Sequence, residues 1–438
     1  MGIFGLPKLI KAVAGRAAVR TYQLDKFKDK GWTVAVDTSL MIHQTVIAIR
    51  SCGKDMKNKS GQLTSHLQGL FFKTIIFLEH GITPIHVFDG KASDLKQKTI
   101  LIRTARKDLA SKKLESLDDS EGEEYIKQFK QTFKPTKEDI NEAKIMFDLM
   151  GIPYVVAPEE ADVVCSWLAA RHDANGKRFA KGVCSDDSDM LPLGSPYLFK
   201  NMLKFINKKK EIEVISLEKT LVKMKLTMSQ FVDLCVLLGT DYCTNIPGIG
   251  PKGAYKMILR YGSLEKVLEA VNKRNGKDND DSSTDSDNDQ EISNEECMLA
   301  AKNYFNTALT KLDDANYTLS ENQLKLRQFQ YEELMDFMCV KHNFDVEKIQ
   351  NAINRIKQAY IKLNVARPNT GHFHTILQPR SENYIFKALT DDIEFLSDSD
   401  EEPMPTKKTS GRTLLIKSKP KPKKKIDIVY KKKAEYQD

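Results

Sequence analysis

Acidic residues recur in this 438-residue chain where short apolar runs end. Asp37 closes TVAVD, Asp89 closes IHVFD, Glu160 and Asp162 follow YVVAPE, and Asp187 and Asp189 follow GVCSD. If these runs are parallel strands, their carboxyl ends line one sheet edge, where ligands bind. Packed carboxylates repel and raise each other's pKa, so such a cluster persists only beside a cation. Oxygen donors without thiolate or imidazole partners select a hard ion, Mg²⁺ or Mn²⁺ in its place. Each acid alone reads more readily as a helix N-cap, and Asp37 before TSLMIHQ fits that reading well. Four strand ends all carrying acids exceed what capping requires, because Ser, Thr and Asn cap about as well. Asp186 is assigned as an extra, solvated acid. With more than three carboxylates, two metals about 4 Å apart can be held, an arrangement suited to phosphodiester hydrolysis.

The elements that would position these acids are legible as short apolar runs alternating with helical patterns up to about Val271, the signature of a largely parallel sheet between helices. Thr33–Val36, Ile82–Phe88, Tyr154–Ala157 and Phe179–Cys184 are the strand candidates. Ala92–Phe133, rich in Lys, Arg, Glu and Gln, reads as one or two solvated helices. Thr136 and Asp139 form a capping box for a helix running to Met150. Helical patterning returns from Met298 to about Leu363.

LLGTDYCTNIPGIGPKGAYKMI, Leu237–Ile258, joins two helical patterns through a Gly- and Pro-rich turn. Gly248 and Gly250 permit close backbone approach, Pro251 suits a first helical turn, and the following N–H groups can accept a phosphate oxygen. Lys252 adds charge, so the segment reads as a contact to a nucleic-acid backbone without regard to sequence, against the plainer reading of an ordinary helix connection. Asp241 at its start can reach the acidic cluster from the other side.

Composition bounds the rest. Hydrophobic residues make up 41% of the chain, enough for a sizeable core. No apolar stretch approaches the roughly 18 residues a membrane span needs, and the N-terminus has neither a signal-peptide pattern nor a myristoylation motif. Seven cysteines without a C-x-x-C pair read as reduced intracellular thiols. Pro403–Asp438 holds 12 Lys/Arg against 3 Asp/Glu, a net +9 that exceeds the +8 of the whole chain. The excess charge therefore belongs to a tail. Asp278–Glu296 carries nine acids and no base, and reads as a disordered insertion. Lys419–Lys425 and Lys431–Lys433 suit a nuclear-import signal or a DNA tether.

Taken together, MGIFGLPKLI, VAVDTSLMIHQ, VFDGKASDLKQKTILIRTAR, LMGIPYVVAPEEAD, SDDSDML and FVDLCVLLGTDYC…IPGIGPKGA resemble the XPG-type structure-specific 5′ nucleases, and most closely the flap endonucleases. The resemblance covers about Met1–Val271, with a weaker match at YEELMDFMC. It implies an α/β fold with a twisted, mostly parallel sheet flanked by helices, a helical arch, and a helix-hairpin-helix element that grips duplex DNA with a K⁺ ion. It implies a first metal group of Asp37, Asp89, Glu160 and Asp162, and a second of Asp187, Asp189 and Asp241; Glu159 falls out of register. Lys96 and Arg103 match a basic pair placed on the scissile phosphate, and their spacing of seven would put them on one helix face. Gly2, Arg50, Lys73 and Gly239 match positions near the DNA or the site. Two departures stand out: His43 replaces a stacking aromatic, and TGHFHTIL (Thr370–Leu377) does not reproduce the family's clamp-binding box, so a sliding clamp has no recognisable motif here.

The organisation expected is a nuclease region over 1–105, an arch over 106–135, a second nuclease region with the hairpin over 136–271, the acidic insertion over 272–297, C-terminal helices over 298–363 and a disordered tail over 364–438. The reading is a Mg²⁺-dependent nuclease with two metals, acting on branched or flapped double-stranded DNA in replication or repair, in the nucleus of the cell or of a host. The short Arg103–Thr136 segment favours a flap endonuclease over relatives with a long insertion there. A non-catalytic junction-binding scaffold is disfavoured because no expected ligand is missing, and a small-molecule phosphohydrolase because of the hairpin and basic arch.

Overall fold

The computed structural model describes residues 2–363 except 29, 52, 54, 59–60, 118–121, 174, 203–210, 276–292 and 316. The lysine-rich tail, the clamp-box candidate, Cys52 and most of the acidic insertion lie outside the described residues.

Among the described residues the strands, in chain order, are β1 (Val19–Gln23), β2 (Thr33–Asp37), β3 (Thr83–Phe88), β4 (Tyr154–Val156), β5 (Val183–Cys184), β6 (Tyr197–Lys200) and β7 (Glu211–Ser216). They form one sheet in the order β1-β7-β6-β5-β2-β3-β4. The five strands from β6 to β4 are parallel, and β7 and β1 continue the sheet antiparallel at the other edge. TVAVD and TPIHVF are buried along almost their whole length. Such continuous apolar runs belong to central parallel strands covered on both faces.

Helices α1 (Leu6–Val13) and α2 (Gly15–Ala18) precede β1, and α3 (Thr38–Arg50) and α4 (Ser65–Glu79) link β2 to β3. Then come α5 (Gln97–Ser116), α6 (Gly122–Gln131) and α7 (Lys137–Met150), with α8 (Ala161–Ala170) between β4 and β5. After the sheet follow α9 (Leu217–Met224), α10 (Met228–Leu238), α11 (Pro251–Tyr261), α12 (Leu264–Asn275), α13 (Asn294–Asp314), α14 (Tyr331–Met335) and α15 (Val346–Lys362). The expected capping box opens α7: Asp139 N–H donates to Thr136 Oγ1 at 3.1 Å and Thr136 N–H to Asp139 Oδ2 at 2.8 Å. Ala92–Phe133 forms two helices, α5 and α6, and α5 exposes Leu101, Ile102 and Leu109.

Three expectations need correction. Of Phe179–Cys184 only Val183 and Cys184 are strand, because residues 179–181 spend their N–H groups elsewhere: Ala180 donates to Leu168 O at 2.8 Å and Lys181 to Thr33 O at 2.7 Å. The acidic tract ends earlier than Glu296: Ser293 and Glu296 form a capping box that starts α13, the S-x-x-E pattern outweighing the tract's polarity. At its other end α12 continues to Asn275, beyond Val271. Neither β6 nor the antiparallel strands β1 and β7 are among the strands expected from sequence; β1 has five residues of which only Val19 is buried, too short and too exposed a pattern to separate from a loop.

Helices α3 and α4 meet so closely that a Cβ at Gly69 would lie 1.7 Å from Thr45 Cγ2. Alanine gains up to about 1 kcal/mol in helix propensity, but overpacking a tight core costs typically 1–3 kcal/mol. Gly69→Ala is therefore expected to destabilise by roughly 1–2 kcal/mol, read as a lower denaturant midpoint; an unchanged or higher midpoint would show that the two helices can part.

Candidate active site

Parallel pairing brings the acids together. Asp37 is the last residue of β2, Asp89 follows β3, Glu160 is the N-cap of α8 just after β4, and Asp187 follows β5. The N-cap reading and the cluster reading of Asp37 both hold: Oδ1 accepts from Leu40 N–H at 3.0 Å, while Oδ2 accepts from Ser185 Oγ at 3.2 Å. Ser185 Oγ also accepts from Asp187 N–H, and Asp187 Oδ1 accepts from Asp189 N–H, both at 3.0 Å. Asp89 Oδ1 accepts from Ala161 N–H at 2.9 Å, tying the β3 end to the start of α8, which carries Asp162. Asp241, after α10, closes the ring from across the edge.

Burial sets the electrostatics. It pushes Asp37 up to about 7, with Asp89 adding to the rise. Asp162 is raised well above the carboxylate range by burial and then by Asp37 and Asp187, and Asp189 by burial and then by Asp187 and Asp241. Such shifts mark carboxylates whose charge lacks compensation.

The countercharge within the chain is Lys96, whose Nζ lies 2.6 Å from Glu160 Oε2, 3.9 Å from Asp162 Oδ2 and 4.0 Å from Asp241 Oδ2. Burial pulls its pKa down, but Asp162 and Glu160 more than offset this and hold the ammonium above its ordinary range. Arg103 Nη2 sits 2.7 Å from Asp241 Oδ2, so both cations meet at that one acid. Lys96 ends a short 3₁₀ turn (Asp94–Lys96) and caps α5, Arg103 lies inside α5, and both side chains reach Asp241 from the same side. Thr99 Oγ1, between them, donates to the Asp241 carbonyl.

The donor set fits a hard divalent ion. It consists of carboxylates only, and Glu160 Oε1 and Asp189 Oδ1 are buried without a hydrogen-bond partner. Among the described residues no three of these acids converge closely enough to form a finished cage; the Lys96 ammonium stands in their midst.

The remaining predicted positions separate into those near the cluster and those apart from it. A Cβ on Gly2 would lie 2.3 Å from Asp187 Oδ1, and Ile3 N–H donates to Ser188 Oγ at 3.0 Å, so the N-terminal segment is wedged against the acids. Gly239 caps α10 at φ 89°, and Gly248 and Gly250 precede α11, which starts at Pro251 and Lys252. His43 tilts against Phe133 at 5.9 Å, and burial, then Arg103 and Arg50, lower its pKa. Arg50 is engaged within the chain: its guanidinium bonds both Asp55 oxygens at 2.9 Å, Phe129 O and Thr132 Oγ1, and lies over the Phe129 ring, joining α3 to α6. Lys73 is buried with Nζ 2.8 Å from Thr45 Oγ1, and burial brings it down to about 8. Asp186 is not a solvated extra: Oδ2 accepts from Gln44 Nε2 and Oδ1 from Asn201 N–H, both at 2.8 Å, which pins the acidic loop to α3 and to the end of β6.

Sequence reasoning missed Tyr242. Its hydroxyl donates to Glu160 Oε2 at 2.9 Å, its ring lies 5.5 Å from Lys96 Nζ, and it packs on Tyr304 of α13 at 4.7 Å. It therefore holds the acid that holds Lys96. The signal was its place beside Asp241; its partner Glu160 is 82 residues away.

A parallel-centred sheet with acids along one edge, a basic helix crossing them and a glycine-rich hairpin beside them defines a structure-specific nuclease of the XPG class. Residues 1–110 match the XPG N-terminal domain and residues 151–241 the XPG I-region. Flap endonuclease 1 of Vanderwaltozyma polyspora is 36% identical over 390 residues, 89% of this chain and 95% of that protein. The human Flap endonuclease 1 is 34% identical over 360 residues, covering 82% and 87%. The solved structure of flap endonuclease-1 from Methanococcus jannaschii superposes with a TM-score of 0.55 at 26% identity, covering 78% of this chain and 96% of that one. The chain belongs to the flap endonuclease family. It is a structure-specific DNA nuclease, and hence a phosphodiester hydrolase.

Tyr242→Phe keeps the ring packing on Tyr304 and removes the hydroxyl that donates to Glu160. Loss of one hydrogen bond to a charged acceptor is expected to slow single-turnover DNA cleavage by about tenfold, with a nearly unchanged melting temperature. A wild-type rate would remove Tyr242 from the positioning of Glu160.

Proposed function

We propose that this nuclease cuts branched DNA at 5′ flaps or related junctions in replication or repair, with 5′–3′ exonuclease action at ends, using two divalent ions, Mg²⁺ or Mn²⁺ in its place. Asp37, Asp89, Glu160 and Asp162 would hold one ion, and Asp187, Asp189 and Asp241 the other. Bound there, the ions would polarise the phosphoryl group and promote ionisation of water. The observation that carries this reading is the placing of Lys96 within 4.0 Å of three carboxylates from two chain segments, the start of α8 and the turn after α10, with Arg103 on the same Asp241. Lys96 and Arg103 present positive charge where a scissile phosphate would meet the acids, and a low-dielectric setting strengthens their pull on charge that develops during reaction.

The substrate's shape would be read by the backbone. Gly248, Gly250 and Lys252 at the start of α11 suit the phosphates of the duplex, with a K⁺ ion at this hairpin, and Gly239 and Gly2 bring the hairpin and N-terminus up to the acids. His43 would stand where a flap base passes. Arg50 and Lys73 contribute as supports of the α3–α4–α6 region or as contacts to a neighbouring DNA arm. A sliding clamp is a further partner in this reading, and the basic tail supports a nuclear location.

Asp187→Ala and Asp189→Ala are each expected to abolish Mg²⁺-dependent cleavage of a 5′-flapped duplex while leaving binding to it within a few-fold. Near-wild-type turnover at saturating Mg²⁺ would defeat the two-ion assignment. Lys96→Ala is expected to lower the single-turnover rate by roughly 10² or more; weaker binding with an unchanged rate would make Lys96 only a counterion of the acids.

A further inference from the structure

A groove of about 780 Å³ lies between α1 and the start of α11, apart from the carboxylates. This is within the usual range of roughly 300–1,000 Å³ for ligand pockets. One wall is Phe4, Pro7 and Ala12, the other Pro251. Phe4 is 65% exposed, whereas Ile3 beside it is buried. We infer that this groove seats a strand of the substrate duplex, with the Phe4 ring packed against a nucleoside of that strand; the inference rests on the DNA-binding reading above.

Three observations select DNA. First, the apolar walls are rimmed by cations: Lys8 on α1 and Lys252 on α11 line the groove, and Lys256 stands one helical turn further on. Among the described residues none of the three has an acidic partner within ion-pair distance, so they offer charge to a polyanion. Second, the floor is bare backbone: Gly250 is the N-cap of α11, a place glycine suits, but Gly253 in the first turn of the helix has no internal reason to be glycine. Gly250 has an ordinary φ of −84° and a Cβ there would meet nothing within 4 Å; a Cβ on Gly253 would make only an ordinary contact with Ile249, at 3.6 Å. Glycine in a helix costs about 1 kcal/mol against alanine, so its use at a groove floor points to close approach from outside. Third, the groove continues the hairpin into the acids. A Cβ on Gly5 would press on Pro251 Cγ at 2.7 Å, Phe4 N–H donates to Gly239 O at 3.4 Å, and Ile3 N–H reaches Ser188 Oγ between Asp187 and Asp189. A nucleoside held by Phe4 is thereby held in register with the cleavage site, and Phe4 acts as a positioning residue.

The test measures binding of a 5′-flapped duplex by fluorescence anisotropy and maps the cleavage position. Phe4→Ala is expected to weaken binding on the order of tenfold, the usual size of a lost ring–nucleoside contact, and to spread cleavage over neighbouring phosphodiesters; Phe4→Trp is expected to restore both and to lose indole fluorescence as the duplex is added. Gly253→Glu, which helix propensity and the helix N-terminus favour structurally, places an anion in the groove and is expected to weaken binding at least as much. Wild-type protein that cuts the flap while Phe4→Ala and Gly253→Glu bind and cut as it does would overturn this inference and leave the proposed function standing. Wild-type protein that neither binds nor cuts would overturn both. A Phe4→Ala change that alters only self-association in sedimentation would assign the groove to a second copy of the chain and also overturn it.

Discussion

The mutual repulsion of carboxylates gathered at one sheet edge is the constraint on which this structure turns. Bringing Asp37, Asp162 and Asp189 out of water raises their pKa values, and each is raised further by its neighbours. A fold with no use for such a cluster would replace it with apolar or amide side chains. Here the chain answers with a buried ammonium, Lys96, and with a set of hydrogen bonds from Ser185, Leu40, Ala161 and Tyr242 that fix each acid's direction. A partly satisfied network of this kind, with Glu160 Oε1 and Asp189 Oδ1 left over, is costly in a core and appropriate where an ion or substrate completes it.

Much of the surrounding architecture serves that edge. The parallel order β5-β2-β3-β4 delivers four carboxyl ends side by side, and the 3₁₀ turn before α5 lowers Lys96 into the acids while Arg103 stays 47% exposed on the side chain. Asp186, turned away from the cluster, anchors the loop that carries Asp187 and Asp189. Arg50 spends its guanidinium on Asp55, Phe129 and Thr132, so a charge that looks available in sequence is a joint between α3 and α6. The N-terminal segment is bound into the same construction: its backbone reaches both Ser188 and Gly239, linking the acidic edge to the hairpin.

His86 shows the opposite outcome for a buried titratable group. Its ring is bracketed by Thr38 and Thr74 at 3.1 and 3.2 Å and stacked on Phe147, and burial brings it down to about 3. With both nitrogens satisfied and no carboxylate beside it, it is a neutral core residue. The contrast with the acids is one of partners rather than of depth.

Local chemistry was enough to read several features from the residues alone. TVAVD and IHVFD announce central strands ending in acids, Thr136 and Asp139 announce the start of α7, and G-I-G-P-K announces a hairpin opening a helix, because each depends on contacts within a few residues. The mixed edge of the sheet was not legible, since β1 pairs with a strand nearly 200 residues later and short amphipathic runs look like loops. Nor was the partner of any charge: that Lys96 would meet Glu160 at a separation of 64, that Tyr242 would donate to the same oxygen from 82 away, and that Arg50 would be consumed near Phe129 are consequences of packing. Residue type and spacing determined which groups could do the chemistry; only the tertiary structure decided which of them meet, because burial and long-range pairing set whether a charge is compensated, and neither is written in the neighbouring residues.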